Sequence, residues 1–213
     1  MHHSSSDLVA SDMQVVFHKL NEWDRRWSKR IQQLQLSPTV EYYLAIPTML
    51  FGRHVVPYLI AASFLFFQIH TACFFSLSCL LCVMITEPLK YLVQRERPRK
   101  QSTADRVLPI RDDVSNPAFP SGDSAQAAIA AGVLYKLYRW KGVFLLPIPT
   151  MFGRVYYGAH WIGDTFGGVL IGFAVSLLLT QHVFDIVEHI LGPYLPTALF
   201  HSSSVCSSIH NHS

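Results

Sequence analysis

Long apolar stretches, separated by polar or proline-containing segments, make up most of the chain after residue 37. The longest of these segments, residues 98–120, predicts a long polar loop. The apolar stretches are residues 39–54, 55–69, 71–93, 121–138, 143 to about 157, and 161 to about 183. A helix needs about 20 apolar residues to cross a bilayer, so residues 71–93 qualify, residues 55–69 cross only if tilted, and residues 39–53 are a doubtful span. The pattern predicts an all-α, polytopic transmembrane helical bundle with five to six hydrophobic helices.

Residues 13–36 show an amphipathic pattern instead. Apolar residues recur there at three- and four-residue steps: Val16, Leu20, Trp23, Trp27, Ile31 and Leu34. Basic residues mostly occupy the other faces of the helix: Lys19, Arg25, Arg26, Lys29 and Arg30. This pattern predicts an N-terminal, basic amphipathic helix on the membrane surface; the alternative is an ordinary surface helix of the bundle.

We expect residues 1–12 and the Ser/His-rich residues 191–213 to be disordered, which leaves residues 37–190 as the membrane domain.

The composition supports a membrane protein. Half of the residues (50%) are hydrophobic, only 15% are charged, and the mean hydropathy is +0.26. The net charge of +3 is small and spread along the chain, so we expect no nucleic-acid partner. The cysteines lack the spacing of a metal site, and we expect neither a metal nor another cofactor.

Ionisable residues cluster at three predicted helix ends. The clusters are "KYLVQRERP" with Lys90 and Arg97, "PSGD" with Ser121, Gly122 and Asp123, and "GRVYYGAHWIGD" with Arg154, His160 and Asp164. Such groups are costly beside membrane spans and are usually functional. If successive helices cross the membrane, all three clusters reach the same face. Arg and Lys side chains that converge with a helix N-terminus predict a phosphate-binding pocket.

His160 and Asp164 are four residues apart, so on a helix they share a face. A carboxylate that holds one ring nitrogen while the other points at the pocket is the arrangement of a nucleophilic or basic imidazole. A purely structural His/Asp pair is the alternative for these two residues taken alone.

The three clusters together resemble the three-part signature of the type 2 phosphatidic acid phosphatase (PAP2) superfamily. The matching motifs are K-x6-RP at Lys90–Pro98, PSG at Pro120–Gly122, and R-x5-H-x3-D at Arg154–Asp164. The resemblance covers residues 90–164 by motif and about 20–185 by helix layout. The "EWDRRWSKRI" segment and the short chain are most similar to the polyisoprenoid diphosphate phosphatase branch.

Family membership implies a metal-independent membrane phosphatase that hydrolyses a lipid phosphate or diphosphate: isoprenoid diphosphate, phosphatidate or sphingoid phosphate. The resemblance assigns phosphoryl binding to Lys90, Arg97, Arg154, Ser121 and the Gly122 backbone, nucleophilic attack to His160, and orientation of His160 to Asp164. We also expect the endoplasmic reticulum or another endomembrane as the location. Fixed cations stabilise the charge that phosphoryl transfer spreads over the equatorial oxygens.

Two positions depart from the family pattern. Gly153 stands where the third motif usually begins with Ser, and Asp123 stands where the family has the His that protonates the leaving oxygen. Three interpretations of Asp123 remain open: it replaces His as general acid, a diphosphate substrate makes the acid less necessary, or the protein binds lipid phosphate without turnover. As a bystander, Asp123 would simply stabilise the first turn of its helix.

Two other classes of function compete with a phosphatase. One is a non-catalytic lipid-binding or scaffold protein; the other is a vanadate-binding haloperoxidase, which has a similar anion pocket but is soluble.

The membrane topology also has two alternatives. If residues 39–53 span, the N-terminal helix lies on the face opposite the active site; if they do not, it joins the active-site face.

Overall fold

The computed structural model describes residues 5–99 and 116–191, and every regular element within these ranges is helical. The long elements are α1 (Ser5–Gln32), α2 (Pro38–Leu50), α3 (Val56–Phe66), α4 (Ile69–Val93), α5 (Gly122–Tyr138), α6 (Pro147–Tyr156) and α7 (Ile162–Leu191). A 3-10 turn, Lys141–Leu145, precedes α6. The all-α prediction is confirmed. The tail beyond residue 191 and residues 100–115 of the predicted polar loop lie outside the described ranges.

Within residues 5–99 and 116–191, two helices are long and apolar enough to cross a membrane: the 25-residue α4 and the 18-residue stretch Ile162–Leu179 of α7. The apolar α3 has only 11 residues and is shorter than a bilayer is thick. The number of crossings, five to six from the sequence, therefore stays a prediction.

Capping residues explain where several helices begin. Ser121 accepts a hydrogen bond from the Ser124 N–H, which sets the start of α5 at the predicted position. The sixth helix begins at Pro147 rather than at residue 143, because proline is favoured in the first turn of a helix and disfavoured further in.

The start of α5 and the start of α7 meet at one end of the bundle, where α4 ends. The Ser121 N–H donates to the Asp164 carbonyl oxygen at 2.9 Å, and the Ala118 N–H donates to the Arg95 carbonyl oxygen at 2.7 Å. The start of α2 lies at this end too, since the Tyr157 hydroxyl donates to the Glu41 carbonyl oxygen at 2.9 Å. We call it the site end.

The second and third helices form one interrupted passage through the bundle. The fourth helix is about 37 Å long and ends at the site end, so it begins at the opposite end. Only Phe67 and Gln68 separate α3 from α4, which places the end of α3 there as well. The break at residues 51–55 therefore lies between the two ends of the bundle.

Small residues let α5 and α7 approach closely. A Cβ on Gly168 would lie 2.2 Å from the Ser121 carbonyl oxygen, and one on Gly172 would lie 2.2 Å from the Ala125 carbonyl oxygen. Either contact is far inside van der Waals distance, so the glycines hold the "PSG" turn against the start of α7.

The first helix starts eight residues before the predicted amphipathic segment, at Ser5, and ends at Gln32. No Gly or Pro interrupts residues 5–12, so nothing in that stretch stops the helix. The Gly163 N–H donates to the Asp24 carboxylate at 2.9 Å, which places α1 at the site end. Of the two topological alternatives, the structure has the one with the N-terminal helix beside the active-site residues.

Candidate active site

A cavity of about 630 Å³ opens among the α2–α3 turn, α4, the start of α5 and the α6–α7 loop. Six of the eight sequence-predicted site residues line it: Lys90, Arg97, Gly122, Asp123, Arg154 and His160. The other two, Ser121 and Asp164, are fully buried and do not line the cavity. Residues that are up to 70 positions apart in sequence thus share one cavity.

His160 lies in the loop before α7 and is held through its Nδ1 atom. This nitrogen lies 2.8 Å from the Ala118 carbonyl oxygen. Because a carbonyl only accepts hydrogen bonds, we assign the ring proton to Nδ1, which leaves the lone pair on Nε2. The Nε2 atom lies 3.3 Å from Nη1 of Arg97, a cavity-lining residue.

Burial lowers the pKa of His160 to about 4. The guanidinium groups of Arg154 and Arg97 push the pKa in the same direction, while the Asp164 carboxylate opposes the shift. A lowered pKa keeps the ring neutral at neutral pH, which is the form that can attack an electrophile.

Asp164 is buried next to His160, and both of its carboxylate oxygens accept hydrogen bonds. One carboxylate oxygen accepts from the Trp161 N–H at 2.8 Å, and the other accepts from Arg95 Nη1 at 2.7 Å. The distance from Oδ2 to His160 Nδ1 is 3.8 Å, longer than a hydrogen bond. The hydrogen-bond partner of His160 Nδ1 is therefore the Ala118 carbonyl. His160 precedes the first residue of α7, so the i,i+4 spacing does not place His160 and Asp164 on one face of a helix.

The backbone fixes the Arg97 side chain. Its guanidinium donates to the Asn116 carbonyl oxygen at 2.9 Å, the Asn116 side chain at 2.8 Å and the Ala159 carbonyl oxygen at 2.8 Å. Arg97 Nη1 also lies 3.3 Å from His160 Nε2, so this cation is held beside the ring in the cavity wall.

Carboxylates accompany Arg154 and Lys90. Arg154 Nη1 lies 2.9 Å from Asp123 Oδ2, and the Lys90 ammonium pairs with Glu87. The Arg154 Nε atom is buried and has no hydrogen-bond partner within residues 5–99 and 116–191. An unsatisfied buried guanidinium N–H is costly, so this group is suited to an acidic ligand.

The two residues of the "PSG" motif differ in accessibility. The Ser121 hydroxyl is bonded to the Ser124 N–H and lies 3.0 Å from the Ser124 hydroxyl, so it acts as a helix cap. Gly122 lines the cavity, and the space where its Cβ would lie is open. The start of α5 thus presents its backbone, rather than the serine hydroxyl, to the cavity.

Thr48 on α2 explains the glycine that departs from the motif. A Cβ on Gly153 would lie 1.8 Å from the Thr48 hydroxyl oxygen, and Thr48 is itself completely buried. The hydroxyl donates to the Leu44 carbonyl oxygen at 2.6 Å, and Thr48 lines the cavity. A threonine hydroxyl therefore occupies the space that a serine at position 153 would need.

We expect Gly153→Ser to lower the free energy of unfolding by about 1–3 kcal/mol, the usual cost of overpacking. Thermal unfolding in detergent measures the effect. Adding Thr48→Ala should restore part of the loss, although the two Cβ atoms would still be 3.0 Å apart. A single variant as stable as the wild type would contradict the packing argument.

Several residues of the site were missed by the sequence reasoning. Glu87 precedes Lys90 by one helical turn, and that i,i+3 spacing was an available signal for the pair. Arg95 lies in the same basic segment as Arg97, but its partners are on other helices. Asn116 had no signal, since it lies in a polar loop without periodicity.

The cavity continues from the charged end into an apolar arm. This arm is lined by Val56, Pro57 and Ile60 of the α3 region and by Cys79, Leu80 and Val83 of α4. Arg53 and His54, in the α2–α3 turn, also line the cavity. The cavity is therefore amphipathic, with cations at one end and hydrocarbon along the other.

The fold and the cavity define a class of protein: a helical bundle with membrane-length helices that holds a neutral histidine among fixed cations at one end. The family model of the PAP2 superfamily matches residues 71–188, more than half of the chain. The chain therefore belongs to the PAP2 superfamily.

Two solved structures are similar to this chain. LpxE from Aquifex aeolicus matches 74% of this chain and 94% of its own at 22% identity, with a TM-score of 0.59. The first transmembrane PAP2 type phosphatidylglycerolphosphate phosphatase, from Bacillus subtilis, matches 81% and 88% at 22% identity, with a TM-score of 0.61. At this identity the likeness shows the shared fold. No curated protein sequence matches the chain.

Proposed function

We propose that the protein is an integral membrane phosphatase that hydrolyses a lipid phosphate or diphosphate. The observation that carries the proposal is the amphipathic cavity, in which His160 and three cations meet an apolar arm. A phosphorylated lipid has the same two parts, an anionic head and a hydrocarbon tail. Membership of the PAP2 superfamily supports the same reaction.

In the proposed reaction, the His160 Nε2 lone pair attacks phosphorus while the bond from phosphorus to the leaving oxygen breaks. From a monophosphate, this step gives a phosphohistidine and an alkoxide that takes a proton from water to become the alcohol; from a diphosphate, it gives the phosphohistidine and the lipid monophosphate. Water then attacks phosphorus and loses a proton to solvent, the bond from phosphorus to Nε2 breaks with its electron pair returning to Nε2, and inorganic phosphate leaves. Arg97, Arg154 and Lys90 stabilise the charge on the equatorial oxygens in both steps.

We propose that Asp123 is a counter-ion of Arg154 rather than the general acid. Its carboxylate lies 2.9 Å from the guanidinium that the phosphoryl group must contact, so substrate and Asp123 compete for Arg154. A diphosphate needs no strong acid because its leaving group is itself a phosphate. Isoprenoid diphosphate is therefore the proposed substrate class, ahead of phosphatidate and sphingoid phosphate.

For Asp123→Asn we expect a lower KM and an unchanged or higher kcat on both monophosphate and diphosphate lipids, because an anion beside the bound phosphate is removed. The pH dependence of kcat/KM should keep its shape in the variant. Because the pKa of His160 is about 4, His160 is neutral above that pH, so a loss of activity at higher pH reports another group.

A proton-donor role for Asp123 gives the opposite result. Monophosphate hydrolysis would then fall about a hundred- to ten-thousand-fold in Asp123→Asn, while diphosphate hydrolysis would be much less affected. The alkaline limb of the wild-type pH profile would also disappear, and Asp123→His would restore activity near neutral pH.

We further propose an endomembrane location, such as the endoplasmic reticulum, with the site end facing the cytosol. The α1 helix lies at the site end and carries five basic residues, and cytosolic faces of membrane proteins carry such an excess. Insertion of a glycosylation site in the linker at residues 33–37 tests this orientation. Glycosylation there would place the site end in the lumen.

Phosphate release from isoprenoid diphosphate, phosphatidate and sphingoid phosphate, measured in parallel, tests the function. We expect release from all three, fastest from the diphosphate, and no effect of EDTA. Inhibition by EDTA would contradict the metal-independent mechanism. Binding of these lipids with no phosphate release at any pH would instead favour the alternative, a catalytically impaired lipid-phosphate-binding protein.

A further inference from the structure

The first helix turns polar residues toward the bundle and apolar residues away from it. Asp24 and Ser28, one helical turn apart, are 7% and 0% exposed. Leu20 and Trp23 on the same helix are 57% and 55% exposed. Buried polar side chains in a surface helix need partners, and those of Asp24 and Ser28 lie at the active site.

Asp24 and Ser28 cap the start of α7 from outside that helix. The Gly163 N–H donates to Asp24 at 2.9 Å, and the Ile162 N–H donates to the Ser28 hydroxyl at 2.9 Å. The free N–H groups at a helix start are usually satisfied by one residue just before the helix. Here a distant helix supplies two of the acceptors, so α1 fixes the position of the first turn that carries Asp164.

Arg95 joins the same two elements through its guanidinium group. It donates to Asp164 at 2.7 Å, to Asp24 at 2.5 Å and to Asn21 at 3.0 Å. Asp164 is fully buried and Asp24 nearly so, which makes this a charge-assisted bridge with little access to solvent. A Cβ on Gly163 would lie 2.9 Å from Asp24 and 3.2 Å from Arg95, so no larger residue fits beside the bridge.

Two routes connect the bridge to the nucleophile. Through its side chain, Arg95 holds Asp164, whose carboxylate lies 3.8 Å from His160 Nδ1. Through its backbone, the Arg95 carbonyl accepts from Ala118 at 2.7 Å, and the Ala118 carbonyl in turn binds His160 Nδ1 at 2.8 Å. A shift of Arg95 would therefore move both groups that face the Nδ1 side of the ring.

We propose that Asp24 and Arg95 are positioning residues for His160, which makes the amphipathic α1 helix part of the catalytic apparatus. This inference rests on the proposed phosphatase function. Attack by Nε2 leaves a positive charge on the ring, and Asp164 stabilises that charge. Among the described residues, the carboxylate partners of Arg95 are Asp24 and Asp164. When Asp24 is neutral, the Arg95 cation interacts more strongly with Asp164, and less of the Asp164 charge remains available to the ring.

The test is Asp24→Asn, an isosteric change that keeps an acceptor for the Gly163 N–H. With farnesyl diphosphate and dioctanoyl phosphatidate as probes in detergent micelles, we expect kcat to fall about 10- to 100-fold, the usual effect of losing a group that orients an active-site residue. The KM should change less than about threefold, since the cavity lining is untouched. Asp24→Glu should recover part of the loss in kcat.

Glu22→Gln is the matched control, because Glu22 is on the same helix but is exposed and pairs with the exposed His18. It should behave as wild type. An active wild type with an unchanged kcat in Asp24→Asn would overturn the positioning role and leave the phosphatase function intact. An inactive wild type would overturn both. If Asp24→Asn fails to fold, Arg95→Lys serves instead, and an unchanged kcat there would equally refute the proposal.

Discussion

His160→Ala is expected to reduce phosphate release more than about a thousandfold, because the proposed nucleophile is lost while the cations remain. The bundle should stay folded, since the ring lies in a loop and lines the cavity. Its Nδ1 atom forms a hydrogen bond to the Ala118 carbonyl, so the variant removes that hydrogen bond without leaving a buried charge unpaired. Rapid acid-free quenching with a radiolabelled substrate measures the intermediate directly. The wild type should yield an acid-labile phosphoenzyme, and the variant none.

The control for this variant is His189→Ala, a change of an exposed histidine near the other end of α7. It should keep full activity and the same phosphoenzyme yield. Phosphoenzyme that persists in His160→Ala would assign the nucleophile to another residue and would remove the proposed mechanism.

Arg154→Ala should lower kcat/KM about 10²- to 10³-fold, the range found when one donor to a developing anion is removed. The Nε atom of Arg154 is buried without a partner among the described residues, and Nη1 already faces Asp123. The variant also leaves the half-buried Asp123 carboxylate without its cation beside the phosphate. We therefore expect Arg154→Ala combined with Asp123→Asn to be more active than Arg154→Ala alone.

Arg139→Ala is the matched control for the loss of a cation, since Arg139 follows α5 at the opposite end of the bundle. Steady-state kinetics on the same lipid substrates compare the wild type, Arg154→Ala, the double variant and Arg139→Ala. A double variant no more active than Arg154→Ala would mean that Asp123 does not oppose phosphate binding. Full activity in Arg154→Ala would remove this residue from the phosphate site.

Much of the helical framework was predictable because its signals are local. Apolar runs located α4 and most of α7, and the stretch that begins at Ser121 located the start of α5. Five of the six cavity-lining residues also came from local signals, namely ionisable side chains beside apolar helices, and Gly122 came from the "PSG" motif that precedes one of them. Helix boundaries were less predictable where competing signals met, as at the start of α6, where Pro147 begins the helix later than the apolar run does.

The sequence by itself determined the helical class, the motif residues and the polar character of three helix ends, since each depends on residues a few positions apart. Only the tertiary structure decided that Asp123 faces Arg154, that the Ala118 carbonyl holds His160, and that α1 turns Asp24 toward α7. The contacts of Asp24 with Gly163 and of Arg95 with Asp164 join positions 139 and 69 residues apart. Periodicity carries no information at that separation, because these partners are chosen by how the helices pack and by the need of each buried charge for an opposite one.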